Sequence, residues 1–313
     1  MDISVIIPTY NEEENVKQLY DELTEVMHKL GKKYELVFID DGSTDTTYRA
    51  LKELSRKDSH IVIVKLRKNF GQTPALLAGF HTVTGSIIIT LDADLQNDPA
   101  DIPRLLEKLG KGFDVVCGWR MDRQDNIIKR IPSKLSNYLN RKITGVKIHD
   151  SGCTLRAYKK ESIEGIKLYG ENHRYIPALI AGKGFKVTEV VTRHRPRQFG
   201  KSKYGVGRLL KGLLDLLTLK FLIRYSSRPI HILGSLGFLI LFLGFLSGIY
   251  LLVEKFYYGL AIAGRPLLFL TFLLVVTGIQ LFFTGVLAEM LVRSRQDVKR
   301  TYNVELVYKK SRK

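Results

Sequence analysis

The sequence predicts a doubly wound, mostly parallel α/β sheet with helices on both faces, followed by an amphipathic interfacial helix and two transmembrane helices. Three observations carry the prediction. Apolar strand-like runs and helix-periodic runs alternate four times between Ile3 and Thr90, the pattern of a parallel sheet with crossover helices. Acidic loops follow three of those strands directly, at Pro8-Thr-Tyr-Asn-Glu12, Asp40-Asp-Gly-Ser43 and Asp92-Ala-Asp94. Two later runs, 229–253 and 266–288, contain no Asp, Glu, Lys or Arg, and each exceeds the ~20 residues that cross hydrocarbon.

Ile3-Ser-Val-Ile-Ile7 reads as the first strand, halted by Pro8. From Val16, apolar residues at 19, 20, 23, 26, 27 and 30 fall at helical spacing, Glu12, Glu13 and Glu14 suit the positive end of that helix, and Gly31 ends it. Tyr34–Ile39 is the second strand, and the turn after it leads into a helix with Ser43 or Thr44 as its expected N-cap. Ile61–Val64 makes a third strand, Gly71 to Val83 a helix, Ser86–Thr90 a fourth strand that is short, apolar and β-branched, and Phe113–Cys117 a fifth. A helix starts near Asp98-Pro99. Pro132 opens a basic amphipathic helix over 132–144, ended by Gly145. Residues 205–228, dense in leucine with basic residues interspersed, form a juxtamembrane helix that rests on the bilayer interface. Domains are therefore expected at 1–204, 205–228, 229–291 for the two spans, and 292–313 for a basic tail, in which Asn303–Tyr308 alternates as a strand.

Lys and Arg total 49 against 31 Asp and Glu in 313 residues, a net charge of +18. Such an excess calls for a polyanionic partner. The charges crowd into 120–145, 193–228 and 289–313, and the last two blocks flank the apolar runs, which favours a lipid bilayer over nucleic acid. The connector 254–265 holds only Lys255 and Arg265 as basic residues, whereas Lys211, Lys220, Arg224, Arg228, Arg293, Arg295, Lys299 and Arg300 flank the outer ends of the spans. The α/β domain and both termini are accordingly expected in the cytoplasm. Met1-Asp2-Ile3-Ser4 lacks the basic start of a secretory leader, and Cys117 and Cys153 have no metal or disulfide spacing and read as buried free thiols.

The three acidic loops converge on the carboxyl edge of the sheet, where open α/β folds bind ligands. An isolated Asp-x-Asp is as readily a helix cap or a solvated turn. Three acidic loops on one edge need a cation or a donor-rich ligand. Asp92, Asp94 and the amide oxygen of Gln96 offer hard oxygen ligands for Mg²⁺ or Mn²⁺, and Asp40 or Asp41 matches the ribose hydroxyls and base N–H groups of a nucleotide. The histidines share no metal-ligand spacing; His149 is the best placed, because it adjoins Asp150.

Pro8-Thr-Tyr-Asn-Glu12, Asp40-Asp-Gly-Ser43, Asn69-Phe-Gly71 with Ala78-Gly79, and Asp92-Ala-Asp-Leu-Gln96, in that order, resemble the family-2 inverting glycosyltransferases of the GT-A fold. More narrowly, the chain resembles the polyprenyl-phosphate glycosyltransferases, the group holding dolichol-phosphate mannose synthases and the undecaprenyl-phosphate glucosyl and aminoarabinosyl transferases. The resemblance runs from Ile3 to about Leu222. It implies a membrane-anchored enzyme, in a cytoplasmic or ER-type membrane, that moves one sugar from a UDP- or GDP-linked donor to a polyprenyl phosphate. Asp92 and Asp94 would handle the donor diphosphate and its metal with Gln96, while Pro8, Tyr10, Asn11, Glu12, Asp40 and Asp41 line the nucleotide-sugar pocket. Arg120 would face the reacting phosphates, Asp150 matches the proposed catalytic aspartate, and Arg156 lies in the same acceptor-side segment. Arg197, Ser202 and Lys203 match the loop that closes over both substrates, and Lys134 stands where many relatives have arginine, which is not an equivalent phosphate ligand.

Beside the resemblance stands a physical requirement. Two phosphorylated substrates repel each other, and Lys134, Arg120, Arg197 and Lys203 near a membrane anchor would gather them. A phosphate monoester with a second pKa near ~6 is already largely dianionic at neutral pH, so Asp150 is either a proton acceptor for the remaining monoanion or an orienting group for the cations. A processive polysaccharide synthase would need more spans and a Gln-x-x-Arg-Trp element, which the sequence lacks. A degenerate transferase domain acting as a membrane-associated binding protein disagrees with intact Asp92, Asp94 and Gln96. A scaffold for anionic lipid leaves the acidic loops unexplained. The sequence permits a homo-oligomer.

Overall fold

The computed structural model describes residues 1–121, 141, 144–166, 168, 170, 172–196 and 230–291, and the backbone of 292–294 and 304–309. The chain divides into two compact units, 1–219 with 299–313, and 220–298.

The first unit is built on an eight-stranded sheet. Its strands are β1 (Ile3–Thr9), β2 (Tyr34–Asp40), β3 (Ile61–Leu66), β4 (Ile87–Thr90), β5 (Val115–Trp119), β6 (Arg156–Lys159), β7 (Val187–Val191) and β8 (Val304–Lys309), in the order β7-β5-β6-β4-β1-β2-β3-β8. The crossovers are α1 (Val16–Leu30), α2 (Thr47–Lys57), α3 (Gln72–Thr82) and α4 (Ile102–Gly110), and the short helices α5 (Lys160–Ile163) and α6 (Ile176–Gly182) follow β6. β1 pairs parallel with both β2 and β4, and β2 parallel with β3. Chain order therefore reverses between β1 and β4, and a crevice opens outside their carboxyl ends. The acidic loop after β4 lies at that reversal.

Two core layers follow from strand alternation. Ile3, Val5, Ile7, Leu36 and Phe38 pack with α1 and α4, whereas Ile6, Val37, Ile39 and Val64 pack with α3. Strands covered on both faces read as unbroken apolar runs, which is why β1, β2 and β3 were legible in the sequence. β6 and β7 were not: β6 is the four residues Arg-Ala-Tyr-Lys, inserted antiparallel to β4 and β5. The tail strand is confirmed as β8, antiparallel to β3 at the sheet edge.

One expected helix start needs correction. α1 starts at Val16 as expected, with Glu12, Glu13 and Glu14 just before it, but α2 begins at Thr47 rather than after Ser43 or Thr44. Those residues tie the first two loops together instead. Asn11 N donates to Ser43 Oγ (3.0 Å), Thr44 N to Asn11 Oδ1 (2.9 Å), and Thr46 N to a Glu13 carboxylate oxygen (2.8 Å). Capping groups are drawn into loop–loop bonds because the β1 and β2 loops lie side by side.

The second unit is a helical hairpin, α7 (Ile230–Tyr258) and α8 (Pro266–Ser294). Both are apolar and long enough to cross a bilayer. Each continues past the uncharged run that marked it, α7 through Glu254 and Lys255 and α8 through Glu289 and Arg293. Apolar residues such as Phe238, Phe245, Phe269 and Phe272 are exposed, as on helices that face lipid. The expected helices at 132–144 and 205–228 lie outside the described residues.

Candidate active site

One side of the candidate site is assembled from the loops after β1, β2 and β3. Asp40 ends β2, fully buried. Its Oδ1 accepts from Ser43 N at 3.1 Å, while Oδ2 has no hydrogen-bond partner in the protein. Burial pushes its pKa up, against the opposing bonds from Ser43. A buried, unsatisfied carboxylate oxygen calls for a ligand N–H or O–H. Asp41 is engaged differently. Its two oxygens accept from Phe70 N (2.8 Å) and Gly71 N (2.9 Å), which fixes the loop before α3. Gly42 makes this approach feasible, since at φ 68 a Cβ there would stand 2.4 Å from the Lys68 carbonyl carbon. Asn11, at φ 54, and Glu12 complete the first loop, Glu12 accepting from Asn15 Nδ2 at 2.6 Å. Pro8 lies inside β1 opposite Ile39 rather than halting it, Thr9 closes the strand opposite Asp40, and Tyr10 follows, half-buried.

The acid pair sits at the reversal between β1 and β4. Asp92 Oδ1 accepts from Gln72 Nε2 (2.7 Å), the first residue of α3, and its carboxylate is also bonded by the Thr154 side chain. Burial, then the charge of Asp94, pushes Asp92 up to about 7, against the pull of Thr154, Arg120 and Arg156. Asp94 is buried and accepts from Gln96 N at 3.2 Å. Leu95 between them adopts φ 59, a costly conformation for a large side chain, held by its burial in the core at 1% exposure. Two carboxylates on one turn, with burial and the charge of Asp94 raising the pKa of Asp92, are the donor set a divalent cation satisfies, so Asp92 and Asp94 fit Mg²⁺ or Mn²⁺. No cluster of three or more His, Cys, Asp or Glu with metal-binding geometry occurs among the described residues. Further oxygens would have to come from Gln96 or from a bound diphosphate.

The opposite wall is Arg120, just after β5, and the loop 149–153. The guanidinium grips Asp150 in a bidentate pair, Nε to Oδ2 at 2.6 Å and Nη2 to Oδ1 at 3.0 Å. Gly152 N donates to the same carboxylate at 3.1 Å. Burial lowers the Arg120 pKa, but the Asp150 bonds and charge outweigh it and leave it raised. Behind the pair, Arg156 is buried and bonds the carbonyls of Cys153 (2.7 Å), Ser151 (2.7 Å) and His173 (3.0 Å). It is a strut for this loop. The segment after β7 is fastened to the acid-pair turn: Arg195 N donates to Gln96 O (2.9 Å), and its guanidinium reaches Glu22 (2.8 Å) and Asp98 (2.9 Å).

The structure thus brings Asp92, Asp94, Arg120 and Asp150 into one electrostatic site, with Asp40 and the first loop beside Asp41 and Gly71. Lys134, Arg197, Ser202 and Lys203 lie outside the described residues. Sequence reading missed Gln72 and Thr154, whose only signal was proximity to Gly71 and Cys153 in motif segments. Cys117 and Cys153 are buried free thiols, as expected.

The architecture is that of the GT-A transferases. It matches glucosyl-3-phosphoglycerate synthase from Mycobacterium tuberculosis, solved in complex with Mn²⁺, uridine diphosphate and phosphoglyceric acid, at a TM-score of 0.54 and 18% identity over 71% of this chain and 78% of that one. Residues 4–166 match the model of glycosyl transferase family 2, and the chain belongs to that family. It is 41% identical to a dodecaprenyl-phosphate galacturonate synthase of Rhizobium johnstonii, over 98% of this chain and 93% of the relative. It is 39% identical to an undecaprenyl-phosphate 4-deoxy-4-formamido-L-arabinose transferase of Pseudomonas aeruginosa, over 95% and 87%.

Proposed function

We propose that the protein transfers a single sugar from a nucleotide diphosphosugar to a polyprenyl phosphate, with inversion at the anomeric carbon. The observation that carries this reading is an acid pair, Asp92 and Asp94, sharing a site with a buried cation, Arg120, held by Asp150. Similarity over nearly the whole chain to two polyprenyl-phosphate sugar enzymes supports the acceptor class.

Asp40 receives the base N–H at its unsatisfied oxygen, and Asp41 keeps the Phe70–Gly71 loop in place around the nucleotide. Asp92 and Asp94, with Gln96, hold Mg²⁺ or Mn²⁺, which when bound offsets charge on the departing diphosphate. Arg120 draws the acceptor phosphate toward the donor and lessens the repulsion between them. Asp150 orients that guanidinium rather than taking a proton, because four donors, from Arg120 Nε, Nη2 and N and from Gly152 N, already converge on it. The attacking phosphate oxygen is anionic at neutral pH and needs no base. Lys134, Arg197, Ser202 and Lys203 are assigned to the acceptor phosphate.

The α/β unit and both termini are assigned to the cytoplasmic side of the membrane. Two things support this assignment: the pairing of β8 with β3 in the sheet that also holds β1, and the basic residues that flank the outer ends of the spans. The enzyme reading is tested with membranes, labelled UDP- and GDP-sugars, polyprenyl phosphate and Mn²⁺ or Mg²⁺. A glycolipid that depends on Asp94 is expected, and no product with any donor refutes the reading. A reporter fused after Lys313 should be cytoplasmic.

A further inference from the structure

The loop that carries Asp150 is fastened at a second point that the transfer chemistry does not use. Trp119 ends β5 and Arg120 follows it, and His149 and Asp150 are neighbours in the facing loop. The salt bridge joins Arg120 to Asp150, and the Trp119 indole stacks on the His149 imidazole, ring centroids 4.4 Å apart at 18°. Glu189 of β7 closes the arrangement from the sheet edge. One carboxylate oxygen accepts from His149 N at 2.7 Å, and the other bonds the ring at Nδ1. The Glu189 side chain is 13% exposed, so a mostly covered acid devotes both oxygens to one histidine.

We infer that His149 and Glu189 are positioning residues for the Arg120–Asp150 pair, held against the face of Trp119. The inference rests on the reading of that pair under the proposed function. A carboxylate that grips both the main chain and the ring of His149 fixes the start of the 149–153 loop in two directions, and the stack fixes the third. The next residue, Asp150, then meets Arg120 in bidentate register without having to search for it. Small losses of register at a phosphate-handling group are costly, since displacement by about 1 Å lowers rates by as much as ~100-fold.

The protein has one tryptophan, so its emission reports the stack directly. The test uses the full chain in detergent or nanodiscs, with His149→Leu, His149→Asn, Glu189→Gln and Asp150→Asn compared by tryptophan emission and by kcat and KM for both substrates. His149→Leu and Glu189→Gln are expected to lower kcat about tenfold with donor KM within about twofold, and His149→Leu to change the emission. His149→Asn, whose Nδ2–H replaces the ring N–H toward Glu189 but which cannot stack on Trp119, should recover part of kcat relative to His149→Leu. Full activity in His149→Leu and Glu189→Gln beside an inactive Asp150→Asn overturns the inference alone. A His149→Asn enzyme as impaired as His149→Leu also overturns it. A fully active Asp150→Asn enzyme instead overturns the reading of the pair, and the inference with it.

Discussion

Arg120 holds Asp150 through two short bonds, 2.6 and 3.0 Å, with both side chains nearly excluded from water. A carboxylate so engaged is a weak proton acceptor and a strong orienting group. Asp150→Asn is therefore expected to lower kcat by roughly 10–100-fold, in line with losing one preorganised electrostatic contact, while leaving the acidic limb of the pH–rate profile in place. Arg120→Lys should not restore activity, because an ammonium cannot reproduce the bidentate fork. Steady-state kinetics across pH 5.5–8.5 check both statements, and a lost acidic limb in Asp150→Asn would identify Asp150 as the base.

The acid pair makes a second prediction, with a defined sign. Burial and the neighbouring Asp94 raise Asp92 to about 7 in the metal-free protein, against about 3.9 in an unfolded chain. The folded state keeps a proton that the unfolded state gives up, so metal-free stability falls as pH rises from about 4 to about 7. A divalent cation displaces that proton. Its Kd should then tighten about tenfold per pH unit below about 7 and level off above. Mn²⁺ titration and thermal unfolding with and without chelator at several pH values measure both slopes. Asp92→Asn should abolish both, and a pH-independent Kd in the unmodified protein would contradict the assignment.

The acidic half of this site was legible because its residues are local in sequence. Asp92, Asp94 and Gln96 share one turn, and Asn11, Asp40 and Asp41 follow strands that announce themselves as unbroken apolar runs. Arg120 and Asp150 stand 30 residues apart, and only the family resemblance marked both. Gln72, Thr154 and Glu189 could not be found that way: a glutamine at a helix start, a threonine in a loop and a glutamate on an edge strand acquire meaning only when the sheet brings them to Asp92 or His149. The resemblance likewise placed Arg156 only in the acceptor-side segment; its burial and its bonds to backbone carbonyls make it a support for the loop, a distinction that sequence does not encode locally.

Gly42 links backbone geometry to nucleotide affinity. A methyl group there would stand 2.4 Å from the Lys68 carbonyl carbon and 2.7 Å from Asn69 N, in a backbone conformation that disfavours any side chain. Main chain cannot swing away as a side-chain tip does, so Gly42→Ala should push the 68–71 loop outward and lengthen the Asp41 bonds to Phe70 and Gly71. The expected cost is about 1–3 kcal/mol of stability together with weaker binding of a nucleoside diphosphate. Calorimetric titration of UDP and GDP decides it, and unchanged affinity would detach this loop from the nucleotide pocket.

The hairpin offers a test that separates close packing from hydrogen bonding. Between membrane helices apolar burial supplies little drive, so association depends on how closely backbones approach. A Cβ on Gly237 would lie 2.8 Å from Gly278 O, and one on Gly278 would lie 2.7 Å from Leu241 N, so the helices touch backbone to backbone here. One turn and more away, Ser247 and Thr271 share a hydroxyl contact at 2.9 Å. Each also lies within bonding distance of a carbonyl of its own helix, Ser247 Oγ 2.9 Å from Gly244 O and Thr271 Oγ1 2.8 Å from Leu267 O, so one hydroxyl donates across the seam while the other donates within its helix. Losing the shared contact therefore leaves neither hydroxyl unsatisfied, and Ser247→Ala should cost only about 0.6 kcal/mol. Gly278→Val must instead part the helices along the whole seam, and a much larger fall in thermal stability of the solubilised protein is expected. Should Ser247→Ala prove the more damaging of the two, the polar contact rather than the glycine approach would be what holds the spans together.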